Sequence, residues 1–233
     1  MLKIELKPVS ILTDFEVGCL NSFQTVFPGA ERRGCYFHHT QCIWRKLQES
    51  PDILNNYNSD PDFALHVRQL GSLAFIPTPA VVSSFDILMA TPFFNDHQRM
   101  LRPLTDYYQD TWIGSRRRGR RRAPLFPHSL WNCYQATADG ISRTNNLVEG
   151  WHKRFSALLG GTHPTIWRFV DAIKEQSVTE MKINQLVAGN PSQPRRRKYR
   201  DLEQRLLSVV ENYENNSVSE YLLGIAHNVK FQV

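Results

Sequence analysis

Apolar residues near the start of the chain switch between a pattern typical of strands and one typical of helices. Residues 8–14 (PVSILTD) predict a buried strand, and residues 15–27 place apolar side chains at helical intervals. Residues 31–37 predict a second strand and residues 40–48 a second helix. This strand–helix–strand–helix order is typical of α/β proteins, so we expect an α/β fold class for this part.

The pattern becomes helical in the middle of the chain. In residues 50–140 apolar side chains recur every three or four positions, and prolines mark the breaks between helices. An arginine run and two prolines in residues 115–127 predict an exposed loop at the end of this block. Residues 145–159, 164–187 and 199–213 then predict three amphipathic helices, and the pattern weakens after the last of them.

The composition fits a globular, basic protein. Hydrophobic residues make up 41% of 233, which is enough for a core, and the net charge is +6. Much of the positive charge lies in two blocks, which are Arg116, Arg117, Arg118, Arg120, Arg121 and Arg122, and then Arg195, Arg196, Arg197 and Lys198. Such clusters attract nucleic acid, although a solvated loop or a nuclear-import signal would look the same.

The cysteines and the apolar runs indicate in which cellular compartment the protein is expected. Cys19, Cys35, Cys42 and Cys133 do not have the spacing of a disulfide framework, which predicts reduced thiols in an intracellular protein. No apolar run approaches the roughly 20 residues of a transmembrane helix. We therefore expect no membrane partner.

Two carboxylates stand where they could carry chemistry. Asp14 ends the first predicted strand, where a side chain can point into the ligand crevice of an α/β sheet, but the local sequence favours a cap of the next helix. Glu149 lies near the start of a predicted helix, three residues after Asn146, which also fits a capping box. The local pattern leaves both alternatives open for each residue.

A metal site is suggested by the C-x2-H-H-x2-C pattern of Cys35, His38, His39 and Cys42. On a helix these residues would line one face and could not surround a tetrahedral zinc ion, because structural zinc sites use two separated ligand pairs. A second pair would have to come from distant residues, namely His128, Cys133, His152 or His163. The pattern favours packing of Cys35 and His38 at the end of the second strand over zinc binding.

Two blocks of the sequence resemble the transposase core of Mutator-like elements. The first comprises residues 11–16 (ILTDFE), 26–30 (VFPGA) and 34–38 (GCYFH) with Gln41 and Arg45, and the second comprises residues 143–152 (RTNNLVEGWH), preceded by Trp131 and Asn132. They occur in the order found in that family, and the resemblance covers roughly residues 8–190.

The resemblance implies a partial ribonuclease H-like fold with a large all-helical insertion and C-terminal helices. Residues 1–49 would form the ribonuclease H-like part around Asp14, and residues 50–140 the helical insertion. Residues 141–190 would supply the helices that carry Glu149, and residues 191–233 a basic linker and a C-terminal helix.

The resemblance also implies a chemistry. In that family two Asp and one Glu hold two Mg²⁺ or Mn²⁺ ions that cut and join DNA; Asp14 would be the second aspartate and Glu149 the glutamate. Cys35 and His38 match a Cys-x-x-His signature with a supporting role. No Asp precedes Asp14 in the chain, so the first aspartate has no counterpart.

We therefore expect a nuclear, DNA-binding protein of transposase origin that does not cleave DNA as this chain. The alternative is a non-catalytic remnant that binds DNA or protein through its helical block and arginine segments. Self-association is a further partner to test.

Overall fold

The computed structural model describes residues 6–117, 120–161, 163–174, 187–189 and 197–231, without the side chains of residues 116–121, 146–149 and 198. The chain divides into two compact units. One comprises Met1–Thr144 with Asp201–Val233, and the other comprises Asn145–Arg200.

The first unit begins with alternating strands and helices. These are β1 (Ser10–Thr13), α1 (Val17–Val26), β2 (Glu31–Gly34) and α2 (Tyr36–Gln48). The two strands pair in parallel, with Ser10 opposite Glu31 and Thr13 opposite Gly34. A mixed α/β class is confirmed, in the coarse sense of a small parallel sheet within a largely helical chain.

Both strands are shorter than the sequence predicts. Ser10 is exposed and only the last residue of β1, Thr13, is buried, so the prediction of a fully buried strand is wrong. Tyr36 and Phe37, predicted as strand, form the first turn of α2. The change occurs at Cys35, whose amide donates the last bond toward β1 while its carbonyl accepts from the amide of His39.

The middle of the chain is helical, as predicted, with one exception. Its elements are α3 (Pro51–Ser59), α4 (Pro61–Ser72) with a 3₁₀ turn (Leu73–Phe75), a second 3₁₀ turn (Thr78–Ala80), α5 (Val81–Met89), α6 (Pro92–Asp96), α7 (Gln98–Tyr108) with a π-helical turn (Gln109–Ile113), and the short helices α8 (His128–Trp131) and α9 (Tyr134–Ala138). In the arginine run, β3 (Arg116–Arg117) pairs antiparallel with β4 (Arg120–Arg121), where we predicted only a loop.

The second unit contains α10 (Asn146–Leu159) and α11 (Ile166–Lys174). The helix α10 ends at Gly160, whose φ of 71° is the left-handed conformation that glycine adopts most readily. The prediction of a single helix over residues 164–187 holds for Ile166–Lys174, and residues 175–186 lie outside the described residues.

The C-terminal part of the chain is α12 (Arg197–Glu211) followed by α13 (Val218–Asn228). The sequence pattern did not predict α13. Ser217 and Glu220 form a reciprocal capping box at its start, and Tyr221, Leu222 and Ile225 are buried where it packs on α4. The tail thus completes the core of the first unit.

Two general features complete the fold. None of the four cysteines, all of which lie within the described residues, forms a disulfide. In the part of the chain that the structure describes, no helix is both long enough and apolar enough to cross a membrane.

Candidate functional site

Asp14 follows β1 directly, at the carboxyl end of the parallel pair. Its Oδ1 atom accepts a hydrogen bond from the amide of Glu16 at 3.3 Å. The N-cap residue of α1 is Glu16, so the capping alternative for Asp14 is wrong: its carboxylate bonds an amide ahead of the helix. Asp14 is half-buried, which leaves part of this side chain open to a ligand.

Phe15 fixes the backbone that carries Asp14. Its ring packs edge-on against Trp112, with ring centroids 4.8 Å apart. It also packs, tilted, against Phe126, with ring centroids 5.1 Å apart. The same ring covers the end of β2, where a Cβ atom added to Gly34 would lie 2.5 Å from ring carbons of Phe15. Aromatic anchoring therefore holds the end of β1 in place against the core.

One neutral group, the thiol of Cys42, lies near Asp14, and it is hydrogen-bonded in turn to Tyr107. Burial raises the pKa of the Cys42 thiol, Arg45 opposes the increase, Tyr107 hydrogen-bonds to Cys42, and the charge of Asp14 adds to the increase. Burial also raises the pKa of Tyr107 to about 12. Both groups keep their protons at neutral pH, and a protonated thiol or phenol is a poor ligand for a hard cation.

Sequence reasoning missed this neighbourhood of Asp14 in part. The sequence pattern marks Cys42 only as a zinc candidate, and no signal in the sequence connects Tyr107 with Cys42. Tyr107 lies on α7, and α7 packs against α2, which carries Cys42. A contact between helices about sixty residues apart has no local pattern from which it could be predicted.

Cys35 joins three segments at the end of the sheet. It is fully buried, as predicted for packing at the end of the second strand, and its amide donates to the carbonyl of Thr13 at 2.7 Å. The next amide, of Tyr36, donates to the carbonyl of Arg143 at 2.9 Å. From the neighbouring strand, the Nη2 atom of Arg33 donates to the carbonyl of Ser142 at 3.2 Å.

One of these bonds joins the two blocks that carry the family resemblance, and the Arg33–Ser142 bond lies directly beside them. Tyr36 belongs to the first block, and Arg143 begins the second. Arg33 and Ser142 are separated by 109 positions in the sequence. All four residues belong to the first unit. The sequence predicts no such contact, because nothing in the spacing of the blocks indicates where they meet.

His39 is sealed in an aromatic cage and is no candidate for a ligand. Its side chain is fully buried, stacks on Trp131 with ring centroids 5.1 Å apart, and meets the edge of Trp112 at 4.6 Å. Neither ring nitrogen has a hydrogen-bond partner among the described residues. Burial lowers the pKa of His39 to about 3, so the imidazole is neutral at physiological pH.

The remaining metal candidates do not converge on a site. Across the described ranges, no three Asp, Glu, His or Cys side chains come together around a point that could hold a metal ion. Cys35 is the residue just before α2. His38, His39 and Cys42 all lie within that helix.

Glu149 lies in α10 of the second unit, and its side chain is outside the described residues. The N-cap residue of α10 is Asn145, so Asn146 is the first helical residue and Glu149 the fourth. A capping box based on Asn146 is therefore wrong, because such a box requires the acid at the third position. Asp14 and Glu149 belong to different units, and their convergence stays a prediction.

The arginine blocks are described only in part. Arg122 and Arg197 are exposed. The backbone of Arg116, Arg117, Arg120 and Arg121 forms the β3–β4 pair, while their side chains and that of Lys198 lie outside the described part, as do residues Arg118, Arg195 and Arg196. The two-residue ladder brings four arginines together on adjacent strands, which concentrates positive charge.

Comparison with known proteins adds no assignment. No protein-family model matches the chain, and no curated protein and no solved structure is similar to it. The assignment of a function therefore depends on the geometry of its own residues.

Proposed function

We propose that this chain is a DNA-binding domain of the Mutator-like transposase type, which supplies Asp14 and Glu149 as two carboxylates of a metal-dependent centre. The observation that supports this proposal is the hydrogen bond between the two resembling blocks, from Tyr36 to Arg143, with a second bond between the adjoining residues Arg33 and Ser142.

The position of Asp14 gives further support. Parallel strands carry their ligand sites beyond their carboxyl ends, and Asp14 lies one residue beyond the end of β1. Carboxylate oxygens are the donors that Mg²⁺ and Mn²⁺ prefer, and such ions would stabilise charge on the reacting phosphodiester oxygens. Asp14 is therefore of the right chemical class and in the right place.

The donor set is nevertheless incomplete for cleavage. A two-metal centre of this type uses three carboxylates, and the resemblance assigns only Asp14 and Glu149. No group of three ligands is found among the residues that the structure describes. We therefore propose DNA binding as the function of this chain, and we expect no cleavage from it alone.

A cleavage assay tests this expectation. The purified chain is incubated with supercoiled DNA and Mg²⁺ or Mn²⁺, and nicked product is measured on a gel. We expect no nicking above that of the protein-free control. Nicking that needs metal and disappears in Asp14→Ala, but persists in Glu16→Ala, would show a complete centre and contradict the proposal of a non-cleaving domain. Glu16 is a matched control because it is an exposed acid two residues away.

Salt dependence tests the DNA-binding part. Each phosphate that the protein neutralises adds about −0.9 to the slope of log affinity against log salt concentration for duplex DNA. Replacing Arg116, Arg117 and Arg118 by alanine is expected to make the slope shallower by up to about 2.7, if each contacts one phosphate. Fluorescence anisotropy with a labelled duplex gives both slopes.

The alternative function is a protein-binding remnant. It is favoured if the wild-type chain shows no salt-dependent affinity for DNA at all. An affinity that is present but has the same slope in the triple variant would retain DNA binding and exclude these three arginines from the contact.

A further inference from the structure

The net positive charge of the chain comes from its second unit. Residues 145–200 contain ten Lys and Arg against four Asp and Glu, which gives this unit a net charge of +6. The whole chain has 28 basic and 22 acidic residues, so the first unit has 18 of each and no net charge. A polyanionic partner is therefore attracted to the second unit.

Aromatic packing builds the described core of this unit. Trp151 and Phe155, one turn apart on α10, stack with ring centroids 5.0 Å apart and an interplanar angle of 9°. The ring of Phe155 meets the edge of Phe169 on α11 at 5.8 Å. These contacts join α10 and α11 and direct part of the apolar face of α11 toward α10.

A second part of the apolar surface of α11 faces solvent. Trp167 is 76% exposed, Ile166 66% and Ile173 50%. The other four tryptophans of the chain are covered to a much greater extent, since Trp44, Trp112 and Trp131 are buried and Trp151 is half-buried against Phe155. Several apolar side chains exposed together on one helix mark a candidate interaction surface.

The two described helices of this unit also carry exposed basic side chains. Arg168 and Lys174 on α11 are exposed, and so are Lys153 and Arg154 on α10. The Nη2 atom of Arg168 lies 3.8 Å from the position that a Cβ atom on Gly160 would occupy, so its guanidinium reaches the end of α10. Asp171 is the acidic residue on α11 and lies one turn after Trp167. Together with Glu149 on α10, this leaves four basic residues against two acids on these two helices.

We infer that α11 is a stacking platform for unpaired nucleotides, on which Trp167 stacks against a base while Arg168, Lys153 and Arg154 meet phosphates. Exposed aromatic rings next to basic side chains are the combination that binds single-stranded nucleic acid. Bases within a duplex already stack on each other, so the platform selects single strands over duplex. The inference rests on the proposed function only in taking DNA as the polyanion.

Self-association through the same face is disfavoured by charge. Two copies that met through α11 would bring two units of +6 together, and like charges at an interface repel. A single strand of DNA instead neutralises the unit while its bases cover the apolar surface.

The intrinsic fluorescence of the full chain tests the platform. Trp167 is the most exposed tryptophan, so its emission is the most open to quenching by a stacked base. The chain is titrated with a single-stranded homopolymer of thymidine and with a duplex of equal length. We expect strong quenching by the single strand, and loss of most of that quenching in Trp167→Leu.

The affinity for single-stranded DNA is expected to fall together with the fluorescence quenching. Removing one stacked base–aromatic contact lowers affinity by about 5- to 150-fold, and we expect Trp167→Leu to fall in this range for the single strand but to bind duplex within about twofold of wild type. Trp167→Phe keeps a smaller ring and is expected to be intermediate. Ile166→Ala is the matched control, because Ile166 is similarly exposed on the same helix but cannot stack.

The outcomes separate this inference from the proposed function. If Trp167→Leu binds the single strand as tightly as wild type, the platform is refuted, while DNA binding stands. If the wild-type chain binds neither strand form, the proposed function itself fails. If wild type sediments as a dimer in the ultracentrifuge and Trp167→Leu as a monomer, the face is a self-association surface and the platform is also refuted.

Discussion

Acid should destabilise the first unit through one residue, His39. Its imidazole is fully buried and has no hydrogen-bond partner within the described chain. The titratable groups that face it are the phenols of Tyr36 and Tyr108, with ring centroids 6.1 and 6.0 Å away. Burial raises the pKa of both phenols, so neither can supply a negative charge to an imidazolium.

The magnitude follows from the pKa. Burial lowers the pKa of His39 from 6.5 to about 3 on folding, so the folded state holds its imidazole neutral while the unfolded state takes up a proton below pH 6.5. The stability that depends on the neutral ring is therefore complete above pH 6.5 and is lost as pH falls toward 3. At about 1.36 kcal/mol per unit, the loss is about 2 kcal/mol at pH 5 and roughly 5 kcal/mol in full.

Urea unfolding at pH 7 and pH 5 measures this loss. The free energy of unfolding of wild type is compared with that of His39→Leu, which has an apolar side chain of similar size that cannot titrate. We expect wild type to lose about 2 kcal/mol more than the variant between these pH values. His152→Leu, at an exposed position on α10, controls for the loss of any histidine. Equal losses in wild type and His39→Leu would refute the reasoning.

Three further substitutions test contacts in the first unit by urea unfolding. Gly34→Ala places a Cβ atom 2.5 Å from the ring of Phe15, and overpacking of this kind costs about 1–3 kcal/mol; an unchanged midpoint would show that the ring can move aside. Ser217→Ala removes the N-cap of α13 and should cost about 0.5–2 kcal/mol, whereas Ser217→Asp, which can still cap, should cost little. Tyr221→Phe leaves the buried carbonyl of Phe75 without its donor and should cost about 1–3 kcal/mol; no loss would mean that another donor reaches this oxygen.

Local pattern was sufficient to predict many of the helices. The helix α1 was predicted to begin two residues too early and to end one residue too late, and α10 was predicted within one residue. Both are close because apolar spacing and the glycines that follow act within the segment itself. The start of α2 was wrong by four residues. The aromatic side chains of Tyr36 and Phe37 are typical of a strand. The amide of Tyr36, however, donates its hydrogen bond to the carbonyl of Arg143 and not to a neighbouring strand.

The C-terminal tail also shows that local pattern is not sufficient, because here it failed to predict a helix. Residues after 215 looked weakly patterned, yet α13 buries Tyr221, Leu222 and Ile225 against α4. Its apolar positions gain their stability from a surface about 150 residues away in the sequence, and burial of apolar area depends on that surface being present. A short segment does not reveal such a partner.

For the candidate site, the sequence by itself determined the chemical types and their order: a carboxylate after a strand, then a Cys-x-x-His pattern, and a second acid on a later helix. Only the tertiary structure decided what surrounds them. It placed Ser142 against β2 and Arg143 against the start of α2, brought Cys42 near Asp14 and Tyr107 against Cys42, and enclosed His39 among rings. The physical reason is that side-chain chemistry and helical spacing are local properties, whereas burial, hydrogen-bond partners and pKa values depend on residues that only folding brings together.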